Sequence, residues 1–170
     1  MPELVLAFKK YTENNLESFV QWCAGPMVHC DILTGRDGLM FTSYMFERFS
    51  VNRVLVYPPE THVCLSVPVS DEEHSAACEM LGRLVDRQIP YNYSDVFRMV
   101  FPSPLPLGDV ACEADIQTLF CSQAITLVLR MCLDPSHRLA PVLAKLNSRT
   151  TTPSMLYDAV LPHCESVPCI

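Results

Sequence analysis

The chain lacks several features that would assign it to a large class of proteins. No apolar run reaches the length needed to cross a bilayer, and the first residues lack a basic start followed by a long apolar stretch. We therefore expect neither a transmembrane segment nor a secretory leader. Internal repeats and low-complexity tracts are absent from the sequence. The 12 basic residues are outnumbered by 19 acidic ones and form no stripe interleaved with aromatics, which argues against nucleic acid as a partner.

Cysteine is plentiful, but its pattern argues against its two commonest structural uses. The nine cysteines are an odd number, whereas disulfide frameworks in short secreted chains usually have even counts. No C-x-x-C pair occurs, and the nearest approach to metal-ligand spacing is His62 with Cys64 and His74 with Cys78. We therefore expect reduced thiols in a cytoplasmic, reducing compartment, and neither a metal nor a cofactor.

The composition is that of one folded domain spanning residues 1–170, with 49% hydrophobic and 18% charged residues. Short apolar runs predict strands at 4–8, 27–33, 39–45, 54–57 and 62–67, of which the second and third form a hairpin. Amphipathic patterns predict helices at 14–23, 70–85, 117–133, 139–146 and 152–160, and the tail from about residue 163 is predicted to be loose. This order of elements predicts an α+β fold.

The most apolar of these helices is the one predicted from Gln117 to Leu133. Its apolar residues recur at helical spacing and also fill most of the opposite side, which predicts a helix that the rest of the fold surrounds. With Thr118 as its cap, Cys121 lies in the first turn, where free amides and the helix dipole favour a thiolate. Cys121 is therefore a candidate nucleophile. The alternative is that it only packs, as we expect of the other eight cysteines.

A cysteine nucleophile needs a base, and His29 at the start of the second predicted strand is the candidate. The central helix, packed against this sheet, could bring its first turn to that histidine; a hydrogen-bonded structural histidine is the alternative. A third polar group should orient the imidazole. The return strand offers Thr42 and Ser43, which face opposite sides, and Glu47 lies beyond it. We take Ser43 for this role, with Thr42 and Glu47 as alternates.

Short motifs follow one another along most of the chain in an informative order. They are His29 at a strand start, hydroxyls at residues 42–43, the segment 90–93 (PYNY), the segment 120–123 (FCSQ) at a helix start, and the segment 152–157 (TPSMLY). This order resembles the circularly permuted, NlpC-type branch of the papain-like thiol hydrolases. The resemblance implies a permuted papain-like core, in which a small antiparallel sheet packs on a central helix with Cys121 at its N-terminus. It also implies Cys121 as nucleophile, His29 as base, and a substrate cleft near Tyr91, Tyr93 and Gln123.

The expected chemistry is acyl transfer through a thioacyl enzyme, with peptide, isopeptide or other amide bonds of a protein or lipid as the expected substrates. A thiol acyltransferase or lipid esterase of the same fold is one alternative. Another is a module that only binds a partner, through a groove at Tyr91, Phe97, Met99 and Phe101, although we expect those side chains to lie in the core. The order of His29, Glu47 and Cys121 also resembles that of adenain, the adenovirus cysteine protease, in which Glu47 would orient the base.

Overall fold

The computed structural model describes residues 2–10, 25–35, 38–53, 57–101 and 107–169. Five strands come first: β1 (Glu3–Lys9), β2 (His29–Leu33), β3 (Leu39–Thr42), β4 (Ser50–Arg53) and β5 (His62–Pro68). Helices follow: α1 (Asp71–Asp86), α2 (Tyr93–Val100), α3 (Cys121–Cys132), α4 (Ala140–Leu143) and α5 (Pro153–Val160), and the short strand β6 (Glu165–Val167) comes last. The α+β prediction is thereby confirmed. The helix predicted at 14–23 lies outside the described residues.

The six strands form one antiparallel sheet in the order β4-β3-β2-β1-β5-β6. Strand β2 pairs with β1 along its whole length, and His29 lies opposite Lys9 at one end. Its pairing with β3 is shorter and consists of Ile32 with Phe41 and Leu33 with Met40. The ladder between these two strands therefore ends before His29, and helix α3 packs against β2.

The two faces of the sheet carry different side chains because successive residues of a strand point to opposite sides. Cys30 and Ile32 of β2 belong to the main core, which also contains the apolar side chains of α3. Leu33 points to the other face and packs with Tyr57 in a smaller cluster, and Asp31 bonds Tyr57 on that same face. Where the β2–β3 pairing ends, His29 from one face of the sheet and Cys121 from the main core lie at the same edge.

Helix α3 is buried from Cys121 to Leu129, as its apolar pattern predicts, but it begins later than predicted. Thr118 is not its cap. Leu119 pairs instead with a neighbouring segment, donating to the Pro90 carbonyl at 3.0 Å and accepting from the Asn92 N–H at 3.0 Å. This pairing keeps the chain extended through Phe120, so that the helix can only start at Cys121. The effect is to place the cysteine at the first helical position.

Two other helix starts agree with their sequence signals. At α1, Ser70 and Glu73 form a capping box, in which each side chain bonds the other residue's backbone N–H at 3.1 and 2.8 Å. At α5, Thr152 accepts a bond from the Met155 N–H at 3.1 Å, and Pro153 occupies the first helical position. These short-range patterns are reliable because both partners lie within one turn of the same helix.

Two predictions about the sheet were wrong in detail. The segment after residue 163 is not loose, because Glu165–Val167 forms strand β6 on the free edge of β5. The strand predicted at 54–57 is displaced: strand β4 is Ser50–Arg53, residues 54–56 lie outside the described part of the chain, and Tyr57 is a buried residue beyond it. Both errors concern edge strands, whose pairing depends on distant partners.

A buried polar network holds the segment that leads into α3. Asn92 donates to the Asp95 carboxylate at 2.7 Å and to the Gln123 amide oxygen at 3.1 Å. Arg149 binds both oxygens of Asp95, at 2.8 and 3.0 Å. The Asp95 side chain is fully buried, so these hydrogen bonds replace the water that it has lost. The network ties α2, the start of α3 and the loop before α5 together.

Removing Arg149 should therefore destabilise the protein strongly. Arg149→Met leaves a buried carboxylate without its cationic partner, and we expect the free energy of unfolding to fall by about 2–4 kcal/mol. Urea denaturation followed by circular dichroism measures this change. The exposed Arg138 is the matched control, and Arg138→Met should change the free energy by less than about 0.5 kcal/mol. The double variant Arg149→Met/Asp95→Asn should lose less stability than Arg149→Met alone; an equal or larger loss contradicts this account.

Candidate active site

The structure brings Cys121 and His29 into contact although they lie far apart in the chain. Cys121 is the first residue of α3, and His29 is the first residue of β2, at the end where β2 and β3 separate. The two side chains are close enough that each shifts the pKa of the other, through charge and hydrogen bonding. Both residues lie just beneath the surface, with 6% of Cys121 and 8% of His29 exposed.

The second nitrogen of the imidazole is held by a carboxylate. His29 Nε2 lies 2.8 Å from Asp31 Oδ1 and 3.1 Å from Thr42 Oγ1. The Tyr57 hydroxyl donates to the other oxygen of Asp31 at 3.0 Å, which orients that carboxylate in turn. With Nε2 engaged in this way, Nδ1 is the nitrogen left for Cys121. Sulfur, imidazole and carboxylate thus follow one another in the order of a catalytic triad.

The third member of this arrangement is a residue that the sequence analysis missed. Ser43, our choice for orienting the imidazole, donates to the Leu119 carbonyl at 2.9 Å instead and supports the entry to α3. Thr42 does contact the imidazole, whereas Glu47 lies on the exposed side of a turn. A signal for Asp31 was present in the sequence. Residues two apart in a strand share a face, so Asp31 is the acid best placed to meet His29.

Charges at the site favour a protonated imidazole. Burial alone would lower the pKa of His29, but attraction to Asp31 and to the Cys121 thiolate, with hydrogen bonds to both, raises it to about 10. Burial acts to raise the pKa of Asp31, yet the His29 charge and hydrogen bonds from His29, Thr42 and Tyr57 lower it below its ordinary value. The pair is therefore an imidazolium held by a carboxylate at neutral pH.

The Cys121 sulfur is stabilised as a thiolate. A hydrogen bond from the Cys30 thiol is the largest influence; burial opposes it, and the charge and hydrogen bond of His29 assist it, so that the pKa of Cys121 lies well below 9.0. The Cys30 N–H also donates to this sulfur. The pairing of β2 with β3 involves only Ile32 and Leu33 of β2. Cys30 therefore has no ladder partner on β3, and its N–H can face the sulfur. Burial and the same hydrogen bond raise the pKa of Cys30, so Cys30 stays a neutral donor.

Aromatic residues surround the pair. Tyr44 stacks on the His29 ring with a centroid distance of 4.3 Å. Burial, then the charges of Cys121 and Tyr93, raise the pKa of Tyr91. The Tyr91 backbone bridges Leu119, two residues before Cys121 in the chain. Tyr93 lies one ring farther out, 5.0 Å from Tyr91 between ring centroids. Of the two tyrosines predicted for the cleft, Tyr91 is therefore the one tied to the segment that leads into Cys121.

Gln123, the remaining residue predicted for the cleft, lies in the first turn of α3 and is buried. Its amide oxygen accepts bonds from Asn92 at 3.1 Å and from the Phe120 N–H at 3.4 Å. Its position two residues after Cys121 turns it away from the sulfur and toward the network around Asp95. Gln123 therefore supports the helix start and does not line a substrate cleft.

The cysteine and histidine pairs that approach metal-ligand spacing do not combine. His74 Nδ1 lies 3.7 Å from Cys78 Sγ, while His62 bonds Thr61 and contacts Tyr57. Within the described ranges, no group of three or more potential metal ligands occurs. The eight cysteines that the structure describes are all free thiols. No helix in the described part of the chain is both long and apolar enough to cross a membrane.

Comparison of the chain with protein-family models, with curated proteins and with solved structures finds no match in any of the three. The chemistry of the site must therefore be inferred from its own residues. They supply a thiolate, an imidazolium in contact with it, a buried carboxylate behind the imidazolium, and the unpaired backbone N–H groups that open any helix. Those are the groups that nucleophilic attack on a carbonyl requires.

Proposed function

We propose that this protein is a cysteine hydrolase that cleaves peptide, isopeptide or related amide bonds through a thioacyl enzyme. One observation carries the proposal: the Cys121 sulfur meets an imidazole whose far nitrogen is bound, at 2.8 Å, by the buried carboxylate of Asp31. A structural cysteine has no need of a charged partner in a largely apolar site. Burying three ionisable groups together lowers the stability of the folded protein. Proteins tolerate that loss most often at active sites, where it keeps the reacting groups in the required charge state.

The first half of the reaction forms the acyl enzyme. The Cys121 thiolate attacks the carbonyl carbon, and the carbonyl oxygen becomes an oxyanion. The Cys121 N–H at the helix start and the Tyr91 hydroxyl are the donors that we assign to that oxyanion, each worth roughly a hundredfold in rate. The His29 imidazolium then gives its proton to the leaving amine as the carbon–nitrogen bond breaks, leaving a thioester on Cys121.

Water completes the cycle. Neutral His29 takes a proton from the water as the water oxygen attacks the thioester carbonyl, and the carbon–sulfur bond then breaks. The products are a carboxylic acid and the regenerated thiolate–imidazolium pair. Asp31 remains ionised throughout and keeps the imidazole oriented, so that one ring can serve both as acid and as base.

The arrangement of elements supports the more specific proposal of a permuted papain-like core. The histidine strand precedes the cysteine helix in the chain, the sheet is antiparallel, and the helix that bears the nucleophile packs on it with its first turn at the histidine. A fold by itself does not define a function. It is the order of nucleophile and base, together with their contact, that makes the resemblance relevant to the chemistry.

Selective alkylation tests the proposal without knowledge of the substrate. With limiting iodoacetamide at pH 7, we expect Cys121 to react at least about tenfold faster than the exposed Cys112, because a neighbouring cation holds Cys121 as a thiolate. Peptide mapping by mass spectrometry measures both rates in one sample. The preference should disappear in His29→Ala. If Cys112 reacts first in the unmodified protein, Cys121 is a packing residue and the hydrolase proposal is wrong.

A further inference from the structure

A row of large aromatic side chains is exposed to solvent beside the candidate site. Phe46 is 83% exposed, Tyr93 45%, Phe97 64% and Phe101 57%. We call these four residues the aromatic ridge. The predicted core positions of Phe97 and Phe101 are therefore wrong. Soluble proteins rarely expose several large apolar side chains next to one another unless another molecule binds there.

The ridge runs along one side of α2 toward the candidate site. Tyr93, Phe97 and Phe101 follow each other at four-residue spacing along α2 and its end, so they share one face. The rings of Phe97 and Phe101 are 4.7 Å apart, and Phe46 extends the row at 5.9 Å from Tyr93. At the inner end, Tyr93 contacts Tyr91, whose backbone bridges Leu119, two residues before Cys121. A ligand lying on the ridge therefore extends to the candidate nucleophile.

The backbone at Phe46 indicates that this exposure is not incidental. Phe46 has a φ of +68°, in the left-handed region that glycine adopts far more readily. It occupies a turn closed by a bond from the Glu47 N–H to the Tyr44 carbonyl at 3.2 Å, and its own N–H donates to the Tyr93 hydroxyl at 2.5 Å. The backbone at Phe46 is therefore strained although its phenyl ring is exposed to solvent and packs into no core. Such strain is most often found at binding sites.

We propose that the aromatic ridge binds apolar side chains of an extended polypeptide, and that this polypeptide is the substrate of the Cys121 site. The inference rests on the proposed hydrolase function. From Tyr93 to Phe101 the helix rises about 12 Å. An extended peptide covers that distance with about four residues. The substrate is therefore a protein segment with apolar residues several positions from the bond that is cleaved, rather than a small amide.

Charge favours a polypeptide over a bilayer as the occupant. Helices that lie on membranes carry several lysines or arginines on their polar side, whereas Arg98 is the single basic residue of α2. The whole chain carries a net charge of −7, which disfavours approach to an anionic lipid surface. An unfolded protein segment offers the alternating apolar side chains and backbone groups that a row of separate rings can engage.

Binding without turnover tests the proposal directly. The probe is fluorescein-labelled, reduced and carboxymethylated α-lactalbumin, a permanently unfolded protein with exposed apolar segments, and its anisotropy is titrated with the Cys121→Ala protein. We expect Phe97→Gln and Phe101→Gln, made in that background, to weaken binding about tenfold each, the loss typical of a central aromatic contact. Glutamine is used because it retains helix propensity. The matched control is Met155→Gln, an exposed apolar residue on α5 outside the ridge, which should bind as before.

A variant at Phe46 separates binding from folding. Phe46→Gly relieves the left-handed strain, so its thermal midpoint should be equal to or above that of the parent protein. Its binding of the carboxymethylated probe should nevertheless fall about tenfold, because the ring is lost. A fall in binding that accompanies a lower thermal midpoint in all ridge variants would indicate general damage and would overturn the proposal.

Three further results would also overturn it. The ridge variants could bind the unfolded probe as well as the parent does, or neutral phosphatidylcholine vesicles could bind in its place through the same residues. Light scattering could instead show that the parent protein is a dimer and that the ridge variants are monomers, so that a second copy of the chain covers the ridge. The iodoacetamide result is independent of all three outcomes. Loss of Cys121 selectivity rejects the hydrolase, whereas unchanged binding in the ridge variants rejects only the ridge as the substrate surface.

Discussion

Cys121→Ala is expected to abolish hydrolysis, lowering kcat/KM by about 10⁴-fold or more on any substrate that the protein cleaves. The methyl group cannot form the thioacyl intermediate, so no part of the proposed pathway survives. The measurement uses a panel of fluorogenic peptide, isopeptide-linked and thioester substrates with the parent and variant proteins side by side. Cys132→Ala is the matched control: it removes a thiol at the opposite end of α3 and should reduce the rate far less.

The pH profile of the same assay distinguishes an ion pair from a neutral pair. Because the pKa of Cys121 is lowered and that of His29 is raised to about 10, both are charged from the lowered pKa of Cys121 up to about pH 10. We expect a plateau in kcat/KM over that range and a fall above it, as the imidazolium loses the proton that the leaving group needs. A narrow optimum between the ordinary values of 6.5 for histidine and 9.0 for cysteine would contradict the ion pair.

The same shift predicts how stability depends on pH. The pKa of His29 is higher in the folded protein than its ordinary value of 6.5, so its charge contributes its full stabilisation below pH 6.5 and loses it as the pH rises toward 10. The lowered pKa of Asp31 acts at the acidic end: that contribution is present above the ordinary pKa of 3.8 and is lost as the pH falls through the lowered value. In His29→Ala, the alkaline loss should disappear.

Asp31→Asn should lower kcat/KM by about 10²–10⁴-fold while leaving the sulfur in place. An asparagine can still bond His29 Nε2, but it removes the negative charge that helps to raise the pKa of His29. The imidazolium is then less stable, and the alkaline limb of the pH profile should move below 10. Measuring kcat/KM from neutral to alkaline pH with the best substrate of the panel gives both quantities: the rate, and the pH at which the rate falls.

Tyr57→Phe is the matched control for that substitution. It removes only the hydroxyl that donates to the outer oxygen of Asp31, at 3.0 Å, so the carboxylate keeps its contact with His29. We expect a loss of less than about tenfold and an almost unchanged alkaline limb. If Asp31→Asn behaves like Tyr57→Phe, with a small loss and no displacement of the limb, Asp31 does not act on His29 through its charge and the triad order is wrong.

Much of the fold follows from signals that lie close together in the chain. The capping box at Ser70 and Glu73 and the Thr152–Pro153 start of α5 are both local, and both occur where the sequence predicts them. The apolar run after Cys121 likewise predicts a buried helix, because a segment that is apolar all round can only be stable inside. The choice of Cys121 as candidate nucleophile depends on the same kind of local signal, its place in the first turn of that helix.

Other features depend on partners that no local pattern identifies. The start of α3 is set by pairing of Leu119 with the Pro90–Asn92 backbone, which overrides Thr118 as a cap. Strand β6 exists because the free edge of β5 accepts it. The exposure of Phe97 could not be predicted, since an apolar pattern on a short helix indicates a face but not whether that face is covered.

The sequence by itself determined an α+β chain with a buried helix that carries Cys121 in its first turn, an early strand with His29 near its start, and the caps of α1 and α5. Only the tertiary structure decided that sulfur and imidazole meet, that Asp31 rather than Ser43 binds the imidazole, and that an aromatic row leads outward from the site. The physical reason is that periodicity and capping operate within a few residues. The site instead forms where the β2–β3 pairing ends and the first turn of a helix from the distant half of the chain packs beside it.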